Sequence, residues 1–565
     1  MLNMAEEKLL SKIVGFGAAF TTIFIISGSV TDPVNVTKLA SLGVTSFAAL
    51  GVLSINSLLP KFREFFPVWT TLVIFIIAAL SSVVMSESPL SQNLYGSFGR
   101  NNGLITYIFL AIILLACLSL KSKESFTRII RALIFAGIVN LAYGFWVIFF
   151  GDFIGWDNPY GNILGTLGNP NFIGSFLGIF LAAYVGYSLD SSSPNWFKYS
   201  LLLVVPLTAF EILESNAIQG RIVGVVGLSI VGFFYIKSRF NQVVTSFYVL
   251  AGAVAGTFSL LGALQIGPLT SYIYKTSVSL RGQYWLAGWN TGEANPFFGA
   301  GMDAFGNWYR RSRDIRAIEL PGTNTVVDAS HNVPIDMFAF GGWPLFISYI
   351  FLMGIGGWAI IRASLRAKQF DPILAVLTST WVGYQLQSII SINQIGLAIW
   401  GWALTGAVIA YEKSTRENSN SFKDEKNKSR VNFNKQGQDA KPMLFASAFG
   451  LIGLLIALPP LTADAQWRSA QLARTVEALE TTLMPGYFNP QNTAKYMGNI
   501  RALEQAQLFD LSHSYAIQAV KWNSESFELW NLLYLVKNST QKEREIAVIN
   551  MKRLDPLNPD VTSLE

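Results

Sequence analysis

The stretch IDMFAFGGWPLFISYIFLMGIGGWAII, residues 335–361, decides the fold, because its 27 residues carry a single charge, Asp336. About 20 such residues wound as a helix cross a hydrocarbon core of ~30 Å. In lipid every backbone N–H and C=O must pair within its own segment, so the run reads as helix rather than strand. Comparable runs recur near 9–28, 39–59, 67–85, 103–120, 132–150, 172–187, 200–213, 222–237, 243–264, 373–390, 395–411 and 443–459. With 335–361 they predict an all-α polytopic membrane protein of about 13 transmembrane helices. Composition agrees: 51% of residues are hydrophobic and 13% charged, the latter about half the charged fraction of a soluble globular chain.

Lysine and arginine divide the connecting loops into two sets. Lys61, Arg63, Lys121, Lys123, Arg128, Arg131, Lys237, Arg239, Arg362, Arg366, Lys368 and the lysine-rich 412–442 fall on one side. The short loops of the other side hold only Lys38, Arg100 and Arg221. Cytoplasmic loops collect positive charge. The N-terminus is therefore expected in the cytoplasm, and the long loop 265–334, between the ninth and tenth spans, outside. An odd span count puts the C-terminal segment outside as well. The net charge of +6 then reflects topology, and no interleaving of basic and aromatic residues marks a nucleic-acid groove. Cys117, the single cysteine, lies inside a span, which excludes a disulfide framework or a cysteine metal site within one chain. The first span reads as a retained anchor rather than a cleaved signal.

The chain divides into a polytopic membrane domain at 1–411, a flexible cytoplasmic linker at 412–442, a final transmembrane helix at 443–459 and a soluble helical domain at 463–565. Helices are expected near 464–484, 490–508, 511–522, 525–537 and 540–553. Asn489-Pro490 reads as a helix start, and Thr540 with Glu543 as a capping box. The segments Ala519–Asn523 and Met551–Pro559 look alike at an offset close to a tetratricopeptide spacing, ~34 residues. The tail reads as a docking module for an envelope-assembly protein.

Polar clusters gather at the outer ends of the spans. They are Tyr95–Gly103 with Arg100, Gly165–Asn171 with Asn169 and Asn171, Glu214–Arg221, and Ser391–Gln394. The long loop adds Arg281, Trp285, Pro296–Phe305 and Asp328–Asn332. Arginines on the face that should be poor in them point to an anionic partner, since a guanidinium fork matches phosphate oxygens. His331 is one of two histidines and stands at the interface beside Asn332, where a near-neutral imidazole can accept a proton from a hydroxyl. Arg310, Arg311, Arg313 and Arg316, interleaved with Asp314 and Glu319, read as a solvated or headgroup-facing helix surface. Gly341-Gly342 reads as a close-packing site between helices in lipid.

In this order the clusters resemble the O-antigen ligase and O-antigen polymerase family of membrane glycan transferases. The matching pieces are Tyr95–Gly103, Gly168-Asn169-Pro170-Asn171-Phe172, Gly220-Arg221 where the family usually shows Ser-Arg, Arg281-x3-Trp285, Pro296-x2-Gly299-x-Gly301-x3-Phe305, and His331-Asn332 followed by Gly341-Gly342. The resemblance covers about residues 60–411, and the tail is similar to an extension of some members. It implies a glycan on a polyprenyl-pyrophosphate carrier, transferred without metal or cofactor to an acceptor hydroxyl of lipid A core, a growing polysaccharide or a protein. The setting implied is the outer face of the bacterial cytoplasmic membrane. His331 would act on the acceptor hydroxyl, and Arg221 and Arg281 on the pyrophosphate, with Arg100 as a third phosphate ligand. Asn169, Asn171, Asn332, Trp285 and Gln394 would contact substrate.

The competing expectation is a transporter or flippase of an anionic solute or lipid-linked sugar. Transporters place polar groups near the bilayer midplane, and here only Glu211 and Gln385 lie deep in spans.

Overall fold

The computed structural model describes residues 4–55, 59–156, 158–421 and 440–564. All thirteen apolar runs are helices: Met4–Ile23, Asn35–Ser54, Phe66–Met85, Leu104–Leu118, Lys123–Phe150, Pro170–Ser188, Leu201–Glu214, Ile218–Arg239, Gln242–Ala263, Val333–Arg366, Pro372–Ile390, Ile395–Ser421 and Lys441–Ala473. Among the described residues eleven helices are long and apolar enough to cross a membrane, Leu201–Glu214 by joining the short helix before it as Asn195–Glu214, and Met4–Ile23 and Leu104–Leu118 fall short of that. The first carries Glu6, Glu7, Lys8 and Lys12, and the second spans only 15 residues. Leu104–Leu118 is nevertheless at the centre, with Phe109, Leu110, Ile113 and Leu114 fully buried against Ile395–Ser421 and Asn35–Ser54. Gln242–Ala263 is the opposite case. Only Gly262 on it is buried, so it lies at the bundle edge with apolar side chains on nearly every face.

Small residues set the closest crossings. A Cβ on Gly220 would stand 2.6 Å from the backbone of Gly174, so Ile218–Arg239 and Pro170–Ser188 touch backbone to backbone. That contact leaves room only for glycine before Arg221. The helix Ile395–Ser421 continues past residue 411 into the stretch read as linker, because Glu412 pairs with Arg362 and Arg366 and Lys413 with Glu64. The rest of that linker, 422–439, lies outside the described residues. These ion pairs and Lys61 mark one end of the bundle, and the long loop and tail occupy the other.

Gly341-Gly342 does not serve helix packing. Val333–Arg366 breaks there, with Gly342 at φ +63°, and the loop 296–301 docks on the break. Ala300 and Gly301 N–H donate to the carbonyls of Ala339 and Phe340, and Trp343 N–H donates to Pro296. The kink thus exposes backbone groups that the glycine-rich loop satisfies.

The tail folds as six helices, Val476–Leu483, Thr493–Gln505, Phe509–Trp522, Phe527–Leu535, Gln541–Leu554 and Pro559–Thr562, around its own core of Tyr496, Ile500, Leu529, Leu533 and Leu554. The capping box at Thr540 and Glu543 is present. Asn489 caps no helix. The next helix begins at Thr493 behind Asn492, and Asn489 instead accepts the buried Lys495 ammonium at 2.7 Å. The final span and the tail are also not separated at Pro459-Pro460, because one helix runs from Lys441 to Ala473.

The reading of the loop arginines as a solvated surface fails for three of the four. Arg310 and Arg313 both pair with Asp555, at 2.9 and 2.6 Å, and Arg311 pairs with Glu525 at 2.5 Å. Arg310 also stands 4.2 Å over the Phe527 ring. Their partners lie more than 200 residues away in the tail, so a local pattern of alternating charge said nothing about them. Arg316 alone is exposed, paired with Asp314.

Candidate active site

Three polar segments meet at the loop end of the bundle. The turn 96–102 passes through left-handed conformations at Gly96, Gly99 and Asn101, and Asp303 organises it from below. The Asp303 carboxylate accepts from the N–H groups of Ser97 at 2.7 Å and Asn102 at 3.2 Å, while its carbonyl accepts from the Ser97 hydroxyl. Full burial pushes its carboxyl up to about 8. Held in this way, Arg100 reaches Asp328 with two parallel bonds, Nε to Oδ2 at 2.9 Å and a terminal nitrogen to Oδ1 at 3.1 Å.

The second segment is Asp328–Asn332. Asp336, one turn into the following helix, accepts from both the N–H and the hydroxyl of Ser330 at 2.7 Å. Asn332 caps the same helix through the N–H of Ile335. Between these two fixed points His331 sits at φ +58°, a left-handed conformation that ordinary side chains rarely adopt. The surroundings, rather than an intrinsic preference, impose it.

The third segment is the helix Thr276–Ala294, which supplies Arg281, Tyr284 and Trp285. The Trp285 indole donates to the His331 carbonyl at 3.3 Å, and the Tyr284 ring centroid lies 5.3 Å from the imidazole. Burial, then the charges of Arg281 and Arg100, hold the His331 imidazole down at about 4. The ring is thus neutral at pH 7, further from its ordinary range than the near-neutral imidazole expected. Burial also lowers the Arg281 guanidinium below the usual arginine range, and its Nε has no hydrogen-bond partner among the described residues.

A cavity of about 560 Å³ opens beside Arg100. Phe98, Trp156 and Tyr160 line it with Asp32, Asn169 and Arg468. Asn169 caps the helix Pro170–Ser188 and donates to the Tyr160 hydroxyl at 3.2 Å.

The structure therefore brings His331, Asn332, Arg281, Trp285 and Arg100 together and puts Asn169 on the adjoining cavity wall. Three other residues make no hydrogen bond or ring contact with them. Asn171 accepts from Gln219 through its carbonyl at 2.7 Å. Gln394 is buried at the start of the helix Ile395–Ser421, where its side chain caps Leu397. Arg221 is exposed and makes no hydrogen bond or ion pair with described residues. Asp303 and Asp336 carry much of the geometry, and reasoning from sequence assigned them no role. For Asp336 a signal existed, since a lone carboxylate opening an apolar run six residues after Ser330 needs a partner.

The segment 201–350, which contains Arg221, Arg281 and His331, matches the protein family described as O-Antigen ligase. Among curated proteins nothing matches the chain. The match and the eleven membrane-length helices among the described residues support a multi-pass membrane protein whose segment 201–350 is similar to O-antigen ligases, the family of glycan-transferring proteins of polysaccharide biosynthesis.

Proposed function

We propose that the His331–Arg281 site transfers a glycan from a polyprenyl-pyrophosphate carrier to an acceptor hydroxyl at the outer face of the cytoplasmic membrane. The acceptor would be lipid A core, a growing polysaccharide or a protein. The observation that carries this is the pairing of a half-buried guanidinium, its Nε without a hydrogen-bond partner among the described residues, with a neutral imidazole that feels its charge. In the proposed step the acceptor oxygen attacks the anomeric carbon and its proton passes to the imidazole. The bond from that carbon to the pyrophosphate oxygen breaks, and the electron pair leaves with the pyrophosphate. Arg281 and Arg100 stabilise the charge growing there.

Binding also tunes the base. A pyrophosphate set against Arg281 and Arg100 cancels the repulsion that helps depress His331, so the imidazole gains basicity when the donor is in place. The aromatic and polar cavity beside Arg100 suits pyranose rings, whose apolar faces stack on Trp156 or Tyr160. Arg221 lies at the start of its helix and would join the phosphate from the exposed side.

The test is transfer of a lipid-linked glycan in proteoliposomes. His331→Ala is expected to insert and fold but to lose at least a hundredfold in rate. Arg281→Lys is expected to lose a similar factor, because a point charge does not reproduce a planar fork. Full transfer by either variant would overturn the assignment.

One observation favours the transport alternative. Glu211 is fully buried in a span against Gly144, with no counter-charge beside it among the described residues. Uptake without a new glycosidic bond, lost in Glu211→Gln and kept in His331→Ala, would establish that reading instead. An envelope-assembly partner of the tail would need a face other than that of Glu525, Glu528 and Asp555, which the chain's own loop occupies.

A further inference from the structure

The last helix contains a defect that the tail repairs. From Pro442 to Ala463 the helix Lys441–Ala473 carries no charge, a length of about 33 Å at 1.5 Å per residue. Pro459 lies four residues beyond Leu455 and has no N–H to offer, so the Leu455 carbonyl loses its partner in the helix. An unpaired carbonyl in lipid is strongly unfavourable. The Tyr487 hydroxyl donates to that carbonyl at 3.0 Å. Seven residues nearer the end of the stretch, the Thr462 hydroxyl donates to the carbonyl of Phe488 at 2.7 Å.

Tyr487 and Phe488 form the tip of a tight turn closed by paired backbone bonds between Gly486 and Asn489. The buried Asn489 braces the turn by donating to the carbonyls of Thr482 and Met484, while Lys495 holds its oxygen. All five residues from Met484 to Phe488 are exposed and uncharged, with Met484 at 64% and Tyr487 at 59%. Leu455 lies eight residues inside the uncharged stretch, about 12 Å below its end, and its neighbours Leu451 and Ile452 are exposed apolar side chains. A second element ends at the same place. In the short helix Leu90–Tyr95, Leu90 is 63% exposed, Tyr95 lies beside Tyr487, and the Ser91 hydroxyl donates to Gln491 at 3.1 Å.

We infer that the turn Met484–Phe488, with Leu90, is a membrane anchor of the tail domain, inserted at the headgroup boundary of the bilayer. The partner surface is lipid. Tyr487 serves two ends, an aromatic ring for the interface and a hydroxyl for the carbonyl that Pro459 frees. Anchored below by this turn and gripped above through Asp555 and Glu525, the tail fixes the height of the loop that carries Arg310, Arg311 and Arg313 over the bilayer.

Spin labels on Tyr487→Cys, Leu90→Cys and the exposed Lys542→Cys, in a Cys117→Ala background, report depth in nanodiscs through collision with oxygen or a water-soluble nickel chelate. Positions 487 and 90 are expected to favour oxygen at least threefold relative to 542. Equal nickel access at 487 and 542 would overturn the insertion, and because Leu90 belongs to a different element, a misfolded turn alone cannot produce the same pattern there. Tyr487→Phe keeps the ring and removes only the hydroxyl. It is expected to leave the collision pattern at 90 unchanged while raising amide exchange around Leu455 at least tenfold. Unchanged exchange would overturn the carbonyl-capping role.

Discussion

Removing the Asp555 carboxylate is expected to release the tail from the loop. Asp555 and Arg313 have fully buried side chains, and Arg310 is nearly so. In Asp555→Ala, Arg310 retains Glu528 at 3.2 Å, but Arg313 retains only the carbonyls of Thr323 and Gly322, at 2.8 and 3.5 Å. The cost is therefore mainly that of one buried guanidinium stripped of its counter-charge, about 3–5 kcal/mol. At ~1.4 kcal/mol per factor of ten, the equilibrium for undocking rises by a factor of about 10² to 4 × 10³. Amide exchange along Phe305–Ser312 and Gln541–Leu554, measured in nanodiscs, reads this change directly. Arg313→Met combined with Asp555→Leu replaces both charges with apolar groups and is expected to recover most of the protection. A loss below about 1 kcal/mol in Asp555→Ala, or a double variant as loose as the single one, would refute the buried-pair reasoning.

His331 supplies a pH test. Its folded pKa, about 4, lies below the ordinary 6.5, so folding favours the neutral ring. The resulting stability, at most ~3 kcal/mol, is complete above pH 6.5 and is lost as pH falls through 4. An NMR titration of labelled histidine should find the low value, and inorganic pyrophosphate should raise it; no response to pyrophosphate would argue against a phosphate at Arg281. At Asp303, with its carboxyl near 8, Asp303→Asn keeps an acceptor for Ser97 and Asn102 and should cost under ~1 kcal/mol, whereas Asp303→Ala strands two buried N–H groups and should cost ~2–4 kcal/mol in chemical unfolding. Gly342→Ala puts a methyl 2.3 Å from the Pro296 carbonyl at φ +63°, so thermal unfolding should show a loss above ~2 kcal/mol.

The sequence alone determined the apolar helices, because length and apolarity are local properties of one run; each of the thirteen runs is a helix, and eleven are long and apolar enough to cross a membrane. It also determined the capping box at Thr540, which involves residues three apart. It drew attention to His331 and Arg281 through their chemistry, but their proximity came from packing the helix Thr276–Ala294 against the segment Asp328–Asn332 and the helix that follows it. Gln394 and Asn171 looked equivalent to these residues in sequence, and the fold turned them inward or toward Gln219. Only the tertiary structure decided the fate of Arg310, Arg311 and Arg313. Their counter-charges come from a domain more than 200 residues downstream, and whether an arginine is solvated or buried is a property of what packs over it. The same holds for Pro459, which reads as a boundary in sequence and proves tolerable mid-helix because a distant tyrosine supplies the missing donor.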